Sequence, residues 1–262
     1  MFGLASPGVG ATIENMTAIL RTVLPATLCA LASLAGPAAG QDDAKARGWG
    51  IFQQARLAAG VKADSVPVKD YVFELQSKAV TPNGEVERHS KGLYLHPGLV
   101  RQEIDDPKAK IIVVFNGEKA WQIVPGDIHY MPDALAKQYK AELDRSHVLL
   151  LPPPPRDSIW LLNQEEVEGR PTDVIELREV GGPPLRLFVD VETHDIVKKM
   201  FVGDAPGGGM AQVEEYFSNF QESGGYRWPF LKRVVRNGKQ ATETTTLSLK
   251  VNTGLTESDI IR

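Results

Sequence analysis

The chain has 262 residues, 42% of them hydrophobic and 24% charged. This is an ordinary globular composition and excludes a disordered or collagen-like chain. A formal net charge of −4 offers no basic face for neutralising phosphates, so nucleic acid is not expected as a partner. The one cysteine, Cys29, excludes an internal disulfide and a zinc site built from several thiolates.

Residues 17–40 read TAILRTVLPATLCALASLAGPAAG. Arg21 precedes an apolar run from Val23 to Ala35, and small residues follow from Gly36 to Gly40. That order matches a cleavable secretory signal, with the cut expected near Gly40 and Gln41 left first. The run is short, is broken by Pro25 and meets no basic cluster, so no stable transmembrane anchor is expected. Residues 1–15 contain Glu14 and do not read as a charged leader, which points to Met16 as the translation start. Cys29 follows Thr27-Leu28 rather than a small residue, so lipidation is not expected. Loss of the leader would remove Cys29 and leave an exported, thiol-free chain, suited to an oxidising periplasm. Residues 41–262 are then expected to form one domain.

Residues 43–59 read as a helix, with Trp49, Phe52, Ala55 and Ala59 as its apolar stripe and Gly60 closing it. Strands follow over 71–77, 86–95 and 99–104. In the first, Tyr71, Phe73 and Leu75 alternate with Val72, Glu74 and Gln76, the period of a half-buried strand. Pro82-Asn83-Gly84 reads as a turn. Residues 111–124, IIVVFNGEKAWQIV, carry Asn116-Gly117 between two β-rich runs and predict a hairpin. Residues 127–131 extend it.

The period changes over 133–150. Asp133 can cap a helix there, with Leu135, Tyr139 and Leu143 as an i, i+4 stripe. Four prolines, Pro152–Pro155, then force a stiff extended arm. Helix and arm read equally as a cover over a sheet face or as a passive connector. The remainder returns to strands: 158–163, 173–180, 185–191, 195–202, 211–220, 228–236 and 242–251. Turn signals separate them at Gly181-Gly182, Thr193-His194, Gly207–Gly209 and Asn237-Gly238. Strands at short spacing without alternating helices predict an antiparallel meander. The expected architecture is mainly β: about ten or eleven strands in one large curved antiparallel sheet, an incomplete barrel with two main helices covering its concave side.

Catalytic signals are absent. The histidines His89, His96, His129, His147 and His194 form no H-E-x-x-H or H-x-H cluster and read as surface or hydrogen-bonded groups. No G-x-S-x-G elbow occurs. Gly207–Gly209 lacks the lysine of a phosphate loop. Glu165-Glu166 and Glu214-Glu215 place neighbours on opposite strand faces, a poor geometry for an acid–base pair. No catalytic residue, metal or cofactor is therefore expected. What remains is apolar bulk. A curved sheet under helices can enclose a dry cavity for an acyl chain. Trp121, Ile123, Met131, Leu135, Phe188, Phe217 and Trp228 are the candidate cavity residues, and helix 133–150 is the candidate lid.

Several segments resemble the LolA/LolB-like group of bacterial outer-membrane lipoprotein-sorting proteins. VFNGEKAWQIVPG (114–126) is similar to its F-D/N-G-x-x-x-W hairpin. EGRPTDVIEL (168–177), LFVDVETHDIVKKM (187–200) with its D-x-x-T turn from Asp190 to Thr193, EEYFSNF (214–220), GYRWPFLKRVVRNGK (225–239) and VNTGLTESDI (251–260) are similar to its later strands. The resemblance spans residues 65–262. It implies an incomplete barrel plugged by helices, and a carrier that holds lipoprotein acyl chains in an apolar cavity without a cofactor. For the cavity arginine that tethers the lid in such carriers, the candidates here are Arg101 and Arg88. Three readings stand open: a lipid or lipoprotein carrier in outer-membrane sorting, an envelope interaction or scaffold module with a filled interior and a protein partner, and a hydrolase with a metal site.

Overall fold

A computed structural model describes residues 39–81, 84–107, 109–178, 183–204 and 209–261. The expected signal segment 17–38, the Met16 start, Cys29 and the turns at Pro82-Asn83, Gly181-Gly182 and Gly207-Gly208 lie outside the described residues. No helix among the described residues is long and apolar enough to cross a membrane.

Thirteen strands form one antiparallel sheet, more than the ten or eleven expected. They are β1 (Asp70–Thr81), β2 (Gly84–Leu95), β3 (Leu99–Asp106), β4 (Ala109–Asn116), β5 (Ala120–Val124), β6 (Asp127–Tyr130), β7 (Ile159–Val167), β8 (Arg170–Leu177), β9 (Leu185–Asp190), β10 (Ile196–Asp204), β11 (Met210–Ser223), β12 (Tyr226–Arg236) and β13 (Lys239–Val251). Their spatial order is β6-β5-β4-β3-β2-β1-β13-β12-β11-β10-β9-β8-β7. The sheet is curved and does not close into a barrel. Two meanders, β1–β6 and β7–β13, meet where β1 pairs with β13. All other links join neighbouring strands, except that between β6 and β7, which are the two opposite margins of the sheet.

The turns form for the reasons their sequences give. Asn237 and Gly238 both take positive φ (47° and 75°), the type I′ geometry that matches strand twist. In the Asp190–Thr193 turn, Asp190 Oδ1 accepts from the backbone N–H groups of Glu192 (2.9 Å) and Thr193 (2.8 Å). The carboxylate thus supplies acceptors that the turn backbone lacks.

Three helices accompany the sheet: α1 (Ala39–Ala58), α2 (Asp133–Ser146) and the short α3 (Glu257–Ile261), which the sequence reading missed. Helix α1 already runs through Ala39 and Gly40. Its Phe52 and Ala55 are buried against β7–β12, and Trp49 packs partly on the same cluster. In α2 the buried stripe is Ala136, Tyr139 and Leu143. Leu135 falls outside it at 39% exposure, because Ala136 takes the i−3 position to Tyr139 on the narrow face that meets the sheet. Pro132, not Asp133, occupies the N-cap, and no side chain caps the helix. Asp133 instead places its charge at the positive end of the helix dipole.

The interior divides between two clusters. One joins Tyr71, Phe73 and Leu75 of β1 to Tyr94, Val100, Val113, Phe115 and the α2 stripe. The other joins α1 to Ile175, Leu187, Ile196, Phe201, Val213 and Phe217, with Val148 pressed in from the β6–β7 link. A smaller third cluster holds Val167, Val174, Phe188 and Val197.

Two helical glycines make contrasting tests. A Cβ on Gly48 would lie 2.6 Å from the Leu161 backbone nitrogen, whereas one on Gly50 would meet nothing within 4 Å. Gly48→Ala should push α1 off β7 and cost about 1–3 kcal/mol, and Gly50→Ala should stabilise by up to about 1 kcal/mol. Thermal unfolding of the two variants should move Tm in opposite directions.

Candidate functional site

The link between the margins carries the chain from Met131 to Ser158 across the concave face. It comprises α2, the turn His147–Leu151 and the four prolines. Under it lies a cavity of about 90 Å³. Its walls are Ala55 of α1 and Ala59 just past its end, Tyr71 of β1, Asp195 with Ile196 and Lys199 of β10, Glu215, Phe217 and Phe220 of β11, and Tyr226, Arg227, Trp228 and Pro229 of β12; Ser146, His147, Leu149 and Leu150 of the link close it. Ligand pockets commonly measure roughly 300–1,000 Å³, so this space is small beside an ordinary ligand site.

On the other side of the same turn runs an open groove of about 650 Å³, lined by Arg56, Lys62, Lys69, Tyr94, His96 and Leu151 among others. His147, Leu150 and Tyr226 border both spaces. The turn is therefore the partition between cavity and groove.

Three side chains hold this partition from three elements. Lys199 Nζ donates to the Arg145 carbonyl (2.8 Å). Arg56 Nη1 donates to the Leu151 carbonyl (2.6 Å). His147 Nδ1 lies 2.9 Å from the Leu143 carbonyl, which can only accept, so Nδ1 carries the proton. Its Nε2 then accepts from the Tyr71 hydroxyl (2.7 Å). The imidazole also stacks on Tyr94, with ring centres 4.4 Å apart.

Burial holds His147 neutral and pushes its pKa down to about 3. It likewise raises the Tyr71 hydroxyl well above the ordinary tyrosine range. Deeper in, Lys199 sits directly across from Glu215 in the β10–β11 pairing, and Lys232 Nζ lies 3.5 Å from Glu215 Oε1. Burial, opposed by Glu215, lowers Lys199 to about 8. Burial alone would raise Glu215, but Lys232 and Lys199 hold it below the usual carboxylate range. The Arg145 guanidinium lies over the Phe201 ring, 4.2 Å from its centre.

Of the candidate cavity residues, Phe217 and Trp228 line the cavity. Met131 packs partly against the β1–β4 cluster. Trp121 and Ile123 pair with Val114 and Ile112, on the sheet face opposite to Val113 and Phe115, and do not border the cavity. Phe188 belongs to the separate third cluster, and Leu135 is exposed. Neither arginine candidate for the tether lines the cavity: Arg88 pairs with Asp106 (2.6 Å) and Arg101 lies 3.7 Å from Glu103. The sequence reading did not single out Tyr71, Lys199 or Glu215; of the two alternatives it gave for His147, surface or hydrogen-bonded, the second holds, at a buried position. Among the described residues no three His, Cys, Asp or Glu side chains converge as a metal would require.

The fold has solved counterparts. A domain named for outer membrane lipoprotein sorting, from Vibrio parahaemolyticus, superposes with a TM-score of 0.56 at 14% identity, over 83% of this chain and 97% of that one. The fold is LolA-like. A LolA superfamily protein from Nitrosomonas europaea superposes with a TM-score of 0.54 at 13% identity, over 82% and 97% of the two chains. A DUF1329 family protein from Desulfovibrio piger gives 0.55 at 15% identity, over 83% and 99%. No family model and no curated sequence matches the chain. At these identities the likeness is one of LolA-like architecture.

The lowered His147 pKa makes stability depend on pH with a defined sign. The unfolded chain binds the proton near pH 6.5 and the folded chain only near 3. The contribution is therefore whole above 6.5 and lost as pH falls from 6.5 towards 3, at no more than about 1.4 kcal/mol per pH unit. Denaturant titrations should show the native protein losing stability across that window more steeply than His147→Gln.

Proposed function

We propose that the protein is an exported carrier-type binding protein, without enzymatic activity or cofactor. It holds a lipid or lipoprotein acyl chain between the sheet and the β6–β7 link, for transport through the periplasm or sorting to the outer membrane. The observation that carries this reading is the cavity itself. Its walls are largely apolar, and the wall that the link supplies, Ser146–Leu150, is held to the rest by a handful of replaceable contacts. The LolA-like architecture, shared with a domain named for lipoprotein sorting, agrees with it.

The energies allow it. Three tethering hydrogen bonds, two of them from the charged donors Lys199 and Arg56, are worth about 4–7 kcal/mol net, and the half-buried Leu149 and Leu150 about 3–4 kcal/mol more. An acyl chain that buries about fourteen methylenes supplies roughly 11 kcal/mol. A chain of that length can therefore take the place of the turn, whereas a short one cannot.

The small volume, about 90 Å³, favours a second reading: an interaction module whose interior is filled by its own side chains and whose partner is another envelope protein. Native mass spectrometry of the full chain purified without detergent separates the two. Co-purifying lipid, or uptake of the neutral probe 1-N-phenylnaphthylamine, is the expected result. A clean apo mass together with no probe uptake would leave only the filled module.

Within the carrier reading, Trp228→Ala removes an aromatic wall and should weaken retention of a long acyl ligand by about tenfold. Trp121→Ala should change it little. Equal losses in fluorescence titrations of the two variants would refute the assignment of the cavity wall.

A further inference from the structure

The groove beyond the partition has a charge character that an apolar carrier does not need. Arg56, Lys62 and Lys69 line it, and no carboxylate does. The ammonium groups of Lys62 and Lys69 make no ion pair or side-chain hydrogen bond among the described residues. This stands out in a chain of net charge −4, and most other basic side chains around the sheet do have acidic partners. Lys198 pairs with Glu214 (2.6 Å), Arg88 with Asp106 (2.6 Å) and Arg227 with Asp195 (2.9 Å). The cavity on the near side of the partition is walled mainly by apolar groups such as Phe217, Phe220, Leu149 and Trp228, and its charged wall residues come in opposite signs, Lys199 across from Glu215 and Arg227 paired with Asp195. A largely apolar, charge-balanced space and a space lined by cations without carboxylates thus adjoin across one turn, and His147 and Leu150 touch both.

We propose that the physiological ligand is an amphiphile with an anionic head: its hydrocarbon lies under the turn, and its head sits in the groove against Arg56, Lys62 and Lys69. The proposal rests on the carrier reading and adds the ligand's polarity and direction of entry. The tail enters by displacing Leu149 and Leu150 from the cavity. The head stays at the water boundary, where its charge is not desolvated. Arg56 lines the groove and already donates to the Leu151 carbonyl at the end of the turn. Contact with a head group there would compete with that bond and loosen the partition as the tail goes in.

Binding of two lysophospholipids with the same acyl chain, below their critical micelle concentrations, tests this on the full chain. Lysophosphatidylglycerol is anionic and lysophosphatidylcholine is zwitterionic. Two or three partly exposed charge contacts predict a preference of about tenfold for the anionic head, shrinking as salt is raised. In the double variant Lys62→Glu/Lys69→Glu the ratio of the two Kd values should fall to one or invert. Equal affinities in the unmodified protein, or a preference that survives the double variant, overturn the proposal and leave the carrier reading standing. Binding of neither lipid, with no uptake of 1-N-phenylnaphthylamine, removes the carrier reading as well. Glycerol phosphate binding as tightly as lysophosphatidylglycerol would show a site for small anions and also overturn it.

Discussion

The sheet's strand order imposes one constraint from which the site follows. β6 and β7 are consecutive in the chain but lie at opposite margins of thirteen strands. The link between them has to travel across a face of the sheet, and the concave face is the shorter way. That face is apolar and unclosed, so the link is also its cover. The helix, the turn and the prolines are the parts of a crossing: α2 lays its stripe on Tyr71 and Phe115, Val148 fills the gap towards Phe217, and the prolines stiffen the approach to β7. The distinction between cover and connector, open in the sequence, disappears once the margins are known.

A cover that is tied at both ends by the backbone needs less to keep it in place, and polar groups fasten its turn beside the apolar packing of α2 and Val148. Lys199, Arg56 and Tyr71 reach it from three elements and bind backbone carbonyls or a neutral imidazole. Lys199 in turn depends on Glu215, since an unpaired ammonium at that depth would be costly. The concave face thus accepts the burden of charged groups beneath an apolar cavity. Such groups fix where the turn sits, which a smooth apolar contact would leave less defined.

Much of the architecture was readable because it is written in local chemistry. Asn237-Gly238, Asn116-Gly117 and the Asp190 turn specify hairpins by backbone conformation alone. The site was less readable, and β10 shows why. Ile196 faces the interior, so strict alternation would send Lys198 and Met200 inward. A bulge between Ile196 and Lys198 shifts the parity, and Lys199 and Phe201 face in instead. No residue there announces a bulge. Elsewhere a signal existed. In Leu185–Asp190, Phe188 alternates in step with Arg186 and Asp190, which marks the outer face. The doublets Lys198-Lys199 and Glu214-Glu215 must each send one charge inward, and the paired register makes those inward charges meet. Trp121 was misleading because its size suggested an interior position, while the inward side of β5 carries the smaller Ala120 and Gln122.

An unclosed sheet also leaves two rows of backbone amides and carbonyls that a second molecule could extend. Here one row belongs to β6, four residues long and exposed throughout, with Asp127 and His129 along it. The other belongs to β7, whose Asn163–Glu166 stretch is polar and whose length runs against α1. Stacking of copies into a continuous ribbon therefore meets a short charged stub on one flank and a helix on the other. Each flank of the open sheet thus carries its own obstacle to a further strand.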